Sequence, residues 1–138
     1  MKKIKKRSEC PISSALDIIG DKWSLLIIRD MVFEGKSTYN EFLKAEEKIA
    51  TNILADRLVL LESVGIITRS EHPESKSKVL YRITQKGIDL LPLILEMILW
   101  SDKYNIISPK AKEFAELLKR DKNGVLKHLY NKLAPKID

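Results

Sequence analysis

The sequence holds a single cysteine, Cys10, and only two histidines among its 138 residues. One thiol closes no internal disulfide, which suits a reducing compartment and predicts a cytoplasmic protein. No apolar run approaches the roughly 20 residues of a membrane span. The charged start, Lys2 to Arg7, is followed by Ser8-Glu9-Cys10-Pro11, which is no signal h-region. His72, His128 and Cys10 fall in three separate segments. A glycine-rich phosphate loop, a metal-ligand spacing and a nucleophile motif are all missing. The expectation is therefore a non-enzyme with no metal and no cofactor. What is present is 44% apolar and 32% charged residues, enough for one globular domain with a sizeable core.

Net positive charge gathers at the ends and in the middle. Residues 1–10 are net +4, residues 66–87 net +3 and residues 109–138 net +4, whereas 11–65 and 88–108 are net negative. Basic ends and a basic centre suit a polyanionic partner such as nucleic acid, although lysine-rich termini are also common solvated surface.

The chain is organised around Ile49 to Ile66. Leu54, Leu58 and Leu61 recur at i, i+4 and i+7, one face of a helix. Thr51, Asn52, Ala55, Asp56, Val59 and Ser63 lie towards the other side, short or polar enough to approach another surface closely. Gly65 stops the helix where a left-handed residue is wanted, and β-branched Ile66-Ile67-Thr68 follow at once. A polar-faced helix that ends at glycine and enters a strand is how a winged helix presents its recognition helix.

The flanking sequence agrees. Cys10 to Gly20 reads as a short helix with Pro11 at its first position, and Asp21 caps a second, Lys22 to about Phe33, with Trp23, Leu26, Ile27 and Met31 in the core. Thr38-Tyr39-Asn40-Glu41 matches a capping box opening a third. Ile66–Glu71 and Lys78–Thr84 read as strands joined by a polar tip, His72 to Ser77, which makes the wing. Thr84 caps a further helix, bent at Pro92, in which nine of the eleven residues from Leu90 to Trp100 are apolar. A helix apolar nearly all round is buried on more than one side, so a second subunit is expected to cover it. From Ser108 a separate segment reads as a helix to about Arg120, a break at Asn123-Gly124 and a shorter helix to Leu133. Its apolar stripe, including Phe114, Leu117 and Leu118, is expected to dock on the dimerisation helices.

The predicted class is mainly α with a small β-hairpin (α+β): a dimeric winged helix-turn-helix with a C-terminal helical extension. Its parts are a basic arm at 1–9, a winged-helix DNA-binding and dimerisation domain at 10–107 and the extension at 108–138.

Cys10-Pro11-Ile12, Ala15-Leu16-Asp17-Ile18-Ile19-Gly20, Lys22-Trp23, Tyr39-Asn40-Glu41-Phe42, Arg57-Leu58, Gly65-Ile66 and Tyr81 to Gly87 together resemble the HxlR-type winged-helix transcriptional regulators, a MarR-like family. The resemblance runs in order over roughly residues 10–105. Ala50 departs from it, standing where relatives usually carry a serine cap, and Thr51 is the substitute cap one residue later. The resemblance implies a transcriptional regulator that binds double-stranded DNA sequence-specifically as a homodimer, with one recognition helix per subunit in the major groove. The alternative is a winged helix that binds protein.

On that frame Thr51, Asn52 and Ala55 are the expected base readers. Arg57 is either a DNA contact or an intraprotein one. The helix-turn-helix itself, residues 37–65, is net −2, so phosphate contacts fall to Arg69, Lys76 and Lys78 on the wing, with Arg82 and the arm. Ile12, Leu16, Leu91, Leu95, Ile98 and Trp100 are the expected subunit interface. Some members of the family sense oxidants or electrophiles through a cysteine in the region of Cys10, which lies at a helix start behind five basic residues, a setting that favours thiolate. The resemblance thus implies an oxidant or small-molecule effector; the alternative for Cys10 is a small residue buried between subunits.

Overall fold

The computed structural model describes residues 3–136, so Met1 and Lys2 of the expected arm and the last two residues of the expected extension lie outside it. The elements run α1 (Pro11–Ile19), α2 (Ser24–Phe33), α3 (Tyr39–Phe42), α4 (Thr51–Ser63), β1 (Ile67–His72), β2 (Ser75–Ile83), α5 (Gln85–Ile88), α6 (Leu91–Tyr104) and α7 (Pro109–Leu133), closing on a 3₁₀ turn, Ala134–Lys136. The mainly helical architecture with one antiparallel hairpin is the winged helix that the sequence predicts. Contacts gather into two compact units, one ending at Gly87 and the other spanning Ile88–Lys136, so α6 groups with the C-terminal extension.

In the first unit, side-chain capping fixes the starts of α2 and α3. The Asp21 carboxylate accepts from the backbone N–H groups of Trp23 and Ser24, at 3.0 and 2.9 Å, and from the Ser24 hydroxyl at 2.7 Å. That turn uses up residues 21–23, which is why α2 starts at Ser24 and not at Lys22. Burial works against the Asp21 charge, but the Ser24 hydroxyl, the two N–H groups and nearby Arg57 outweigh it and hold the carboxyl below its usual range. At α3 the capping box forms in full: Glu41 N–H donates to Thr38 Oγ1 at 3.3 Å, and Glu41 Oε1 accepts from Thr38 N–H at 3.1 Å. Leu54, Leu58 and Leu61 are all buried, as their spacing requires, in a core shared with Ile28, Phe42 and Ile67.

An ion-pair cluster ties α2 to the turn before α4. The Arg29 guanidinium grips both oxygens of Glu47, Nη1 to Oε2 at 2.6 Å and Nη2 to Oε1 at 2.9 Å. It also donates to buried Asp30, whose other oxygen accepts from Lys36 Nζ at 3.3 Å. The hydrogen bonds from Arg29 hold the Glu47 carboxyl down at about 2. A carboxyl depressed on folding contributes stability that is complete above its unfolded value of 4.5 and is lost as pH falls towards 2. After allowance for solvent screening of this half-exposed pair, Glu47→Gln is expected to cost about 1 kcal/mol in urea melts at pH 7. The difference from wild type should shrink between pH 4.5 and 2; a gap that persists at pH 2 would contradict the assignment.

From Thr84 onwards three expectations are corrected. The predicted long helix from Thr84 is two helices, α5 and α6, separated at Asp89-Leu90. Pro92 sits in the first turn of α6, where a missing N–H costs nothing, so it starts the helix and does not bend it. In α7 the break falls at Asp121, whose backbone is non-helical (φ −155°, ψ 69°), and not at Asn123-Gly124. The Asp121 carboxylate accepts from Gly124 N–H at 3.0 Å and so caps the second half of α7. A Cβ on Gly124 would stand 2.0 Å from Asp121 Oδ2, so any larger residue there must displace the capping carboxylate. α7 packs on α6 of the same chain, burying Ala115, Leu118, Val125, Leu129 and Leu133. Lys112 and Lys119 reach Asp102 on α6, at 3.6 and 2.6 Å, and Lys122 pairs with Glu96. Leu118, Val125, Leu129 and Leu133 of the expected stripe thus find their partner within their own chain, whereas Leu117 is exposed.

Candidate nucleic-acid interface

α4 leaves one face open. Thr51, Asn52 and Ala55 are exposed in its first turns, with Val59 one turn further on. Ala50 is the N-cap and contributes no side-chain hydrogen bond. Thr51 is already the first helical residue, so the expected substitute cap does not form. The start of α4 is held from outside instead, by Tyr39 Oη donating to the Thr51 carbonyl at 3.0 Å.

The other end is locked by a Schellman motif. Gly65 (φ +80°) donates its N–H to the Glu62 carbonyl at 3.0 Å, and Ile66 N–H donates to the Leu61 carbonyl at 2.9 Å. The strand-to-helix junction then takes up the next carbonyls. Thr84 Oγ1 donates to Gly65 at 2.6 Å, Thr84 N–H to Ile66 at 3.0 Å and Lys86 Nζ to Val64 at 2.7 Å. Gly87 passes close by, and a Cβ there would lie 2.6 Å from the Ile66 carbonyl. Sequence reading placed Thr84 only as a helix cap, a role it also plays by accepting from Gly87 N–H at 3.3 Å. Its grip on the end of α4 was missed, because that contact joins residues 19 apart.

The wing differs from expectation in length. β1 and β2 run almost to a two-residue tip at Pro73-Glu74, pairing from Ile67↔Ile83 to Glu71↔Val79. The register then jumps to His72↔Ser75, leaving Lys76, Ser77 and Lys78 outside regular pairing. Both lysines are exposed at this irregular stretch, as is Arg69 lower on the wing. Arg69 stands opposite Tyr81 across the strands; burial pushes the Tyr81 phenol up, and the neighbouring guanidinium opposes that shift. The wing is braced against the helix-turn-helix by Tyr81 N–H donating to the Ser37 carbonyl at 2.8 Å and by an edge-on contact of the Tyr81 and Phe42 rings. Between them runs an open groove of about 770 Å³, with Thr38, Asn40 and Lys44 on one side and His72, Lys78 and Tyr81 on the other.

Arg57 is engaged inside the protein. Its guanidinium lies 2.6 Å from Asp56 and 3.5 Å from Asp21, which is the intraprotein alternative for this residue. Asp56 on the same helix thereby anchors a basic neighbour. In the arm, Arg7 is bound to Asp17 at 2.6 Å, while Lys3, Lys5 and Lys6 are exposed. Cys10 is exposed at the head of α1. Of the residues expected between subunits, Ile12, Leu16 and Trp100 are exposed and Ile98 is half-buried, but Leu91 and Leu95 are both 0% exposed within the single chain. Two fully buried side chains have no surface left to offer a partner. The exposed stripe of α6 is Leu93, Met97, Trp100 and Tyr104.

Known proteins carry the same arrangement. Residues 18–108 match the family model described as HxlR-like helix-turn-helix. YdeP of Bacillus subtilis, an uncharacterised HTH-type transcriptional regulator, is 39% identical over 95 residues, covering 69% of this chain and 73% of its own. YodB, an HTH-type transcriptional regulator of the same organism, is 34% identical over 96 residues, covering 69% and 85%. Its reduced form superposes with a TM-score of 0.57 at 32% identity over 70% of this chain and 95% of YodB, and it has also been solved with quinone bound. The redox regulator HypR in its oxidised form gives a TM-score of 0.62 at 31% identity, covering 71% of this chain and all (100%) of HypR. The chain is a DNA-binding transcriptional regulator and belongs to the HxlR-like helix-turn-helix family.

Proposed function

We propose that this regulator binds duplex DNA as a homodimer, reading sequence with the open face of α4 and holding the backbone with the wing. The observation that carries the reading is that face itself: Thr51, Asn52 and Ala55 stand uncovered on a helix fixed at both ends, in one unit with an exposed basic hairpin. Asn pairs bidentately with adenine, and Ala and the Thr methyl suit a thymine methyl. With Arg57 occupied by two carboxylates, base reading rests on these three. Arg69, Lys76 and Lys78 supply the phosphate contacts that the acidic helix-turn-helix cannot.

Two copies meet through Leu93, Met97, Trp100 and Tyr104 of α6 and through Ile12 and Leu16 of α1, apolar positions that a single chain leaves in water. A two-fold dimer then addresses two half-sites about one helical turn of DNA apart. The site of action is the cytoplasm, consistent with the finding that among the described residues no helix is long and apolar enough to cross a membrane. Cys10 is the sensor position, supported by its exposure and by the likeness to a redox regulator and to a quinone-binding one. With one thiol per chain, oxidation joins two subunits or caps the sulfur with a small molecule.

A selection from random duplexes followed by gel shifts at rising salt tests the DNA reading. Lys76→Ala with Lys78→Ala should weaken selected and random duplex alike and reduce the slope of log affinity against log salt by about two. An unchanged slope would remove the wing from the phosphate contacts, and a wild type that retards no duplex would favour the protein-binding alternative.

A further inference from the structure

We propose that the Arg29–Glu47 pair is a positioning device for the recognition helix, setting DNA affinity through the turn that delivers α4 and without touching DNA. The inference rests on the reading of α4 as the DNA-contacting helix. α4 has no cap of its own, so nothing within it fixes where its first turn begins. The exposed Thr51 and Asn52 lie in that turn, and base contacts tolerate misplacement of only roughly 0.5 Å.

The turn from α3 is held at three successive residues. Glu47 is gripped through both carboxylate oxygens by Arg29 of α2. Lys48 takes a left-handed conformation at φ 58°, with its N–H on the Ala45 carbonyl at 3.0 Å. A lysine stays in that region only where its surroundings over-determine it. Ile49 is buried immediately afterwards, beside a pocket of about 10 Å³ among Trp23, Ile27, Phe42 and Ile49. The next residues are Ala50 and Thr51, where Tyr39 completes the fixation.

Arg29 itself is spent on these contacts. Its four hydrogen bonds go to Glu47 and Asp30, and Asp30 is buried and shared with Lys36. Its basic group therefore serves the turn, while the bidentate geometry removes the freedom a single contact would leave. The pair converts the rigid position of α2 into a defined entry for α4.

The test uses the full chain and a duplex enriched by the wild type from a random pool, at a temperature where circular dichroism shows every variant folded. Glu47→Gln and Arg29→Lys should each bind the selected duplex about tenfold more weakly, leave random duplex within about twofold and keep the wild-type salt slope. Wild-type affinity for both duplexes together with a lowered melting temperature overturns the proposal, because the pair then only stabilises the fold. Equal changes on both duplexes overturn it too, since they mark a general electrostatic effect or a direct phosphate contact. If the wild type enriches no sequence, the DNA reading fails and takes this proposal with it.

Discussion

Met97→Asp or Trp100→Asp is expected to turn the proposed dimer into a folded monomer, raising its dissociation constant by roughly a thousandfold. Both side chains are substantially exposed in the single chain, at 47% and 60%, so a carboxylate there meets water in the monomer and costs the fold little. In the dimer the same carboxylate is buried without a partner, once from each copy. Sedimentation velocity at micromolar concentration reads the change, with circular dichroism confirming the fold. Leu95→Asp provides the contrast: Leu95 is fully buried in its own chain, and the substitution should unfold the protein. A wild type that sediments as a monomer, or a Met97→Asp protein that remains dimeric, would show that this stripe is not the interface.

Asn52→Ala is expected to cost about 1–3 kcal/mol on a selected duplex while leaving random DNA unaffected, the difference in loss between the two being the mark of base reading. The side chain is exposed in the first turn of α4, where truncation removes a bidentate donor and acceptor and opens no hole in the core. The cleanest measurement compares wild type and variant on duplexes changed one base pair at a time. The variant should become indifferent at one position and retain the others. Equal loss on every duplex would make Asn52 a backbone contact.

The recognition helix was legible because its signals are local. Leu54, Leu58 and Leu61 declare a buried face by spacing alone, and Gly65 is required at a positive φ by the Schellman geometry. The Thr38–Glu41 capping box is likewise written in four consecutive residues. What escaped notice depends on distant partners or on a missing pattern. Leu90 to Trp100 is apolar almost throughout, so the sequence carries no stripe to say which side faces inward. Leu91 and Leu95 turned out to be core, while Leu93, Met97 and Tyr104 carry the open face. Pro92 looked like a kink because the apolar run ran through it, and the helix start at Leu91 carries no polar cap to announce it. Arg57 could be read either way until Asp21, 36 residues earlier, was placed beside it.

The Thr84 and Lys86 bonds to the end of α4 lie at the root of the hairpin, whereas the register jump that frees Lys76 and Lys78 lies at its tip. If the wing holds DNA as proposed, an insertion or deletion between His72 and Ser75 would change how far its cationic groups reach without disturbing α4. On the proposed reading, binding strength and target choice sit on separable stretches of chain, so that descendants of this protein could vary one while inheriting the other.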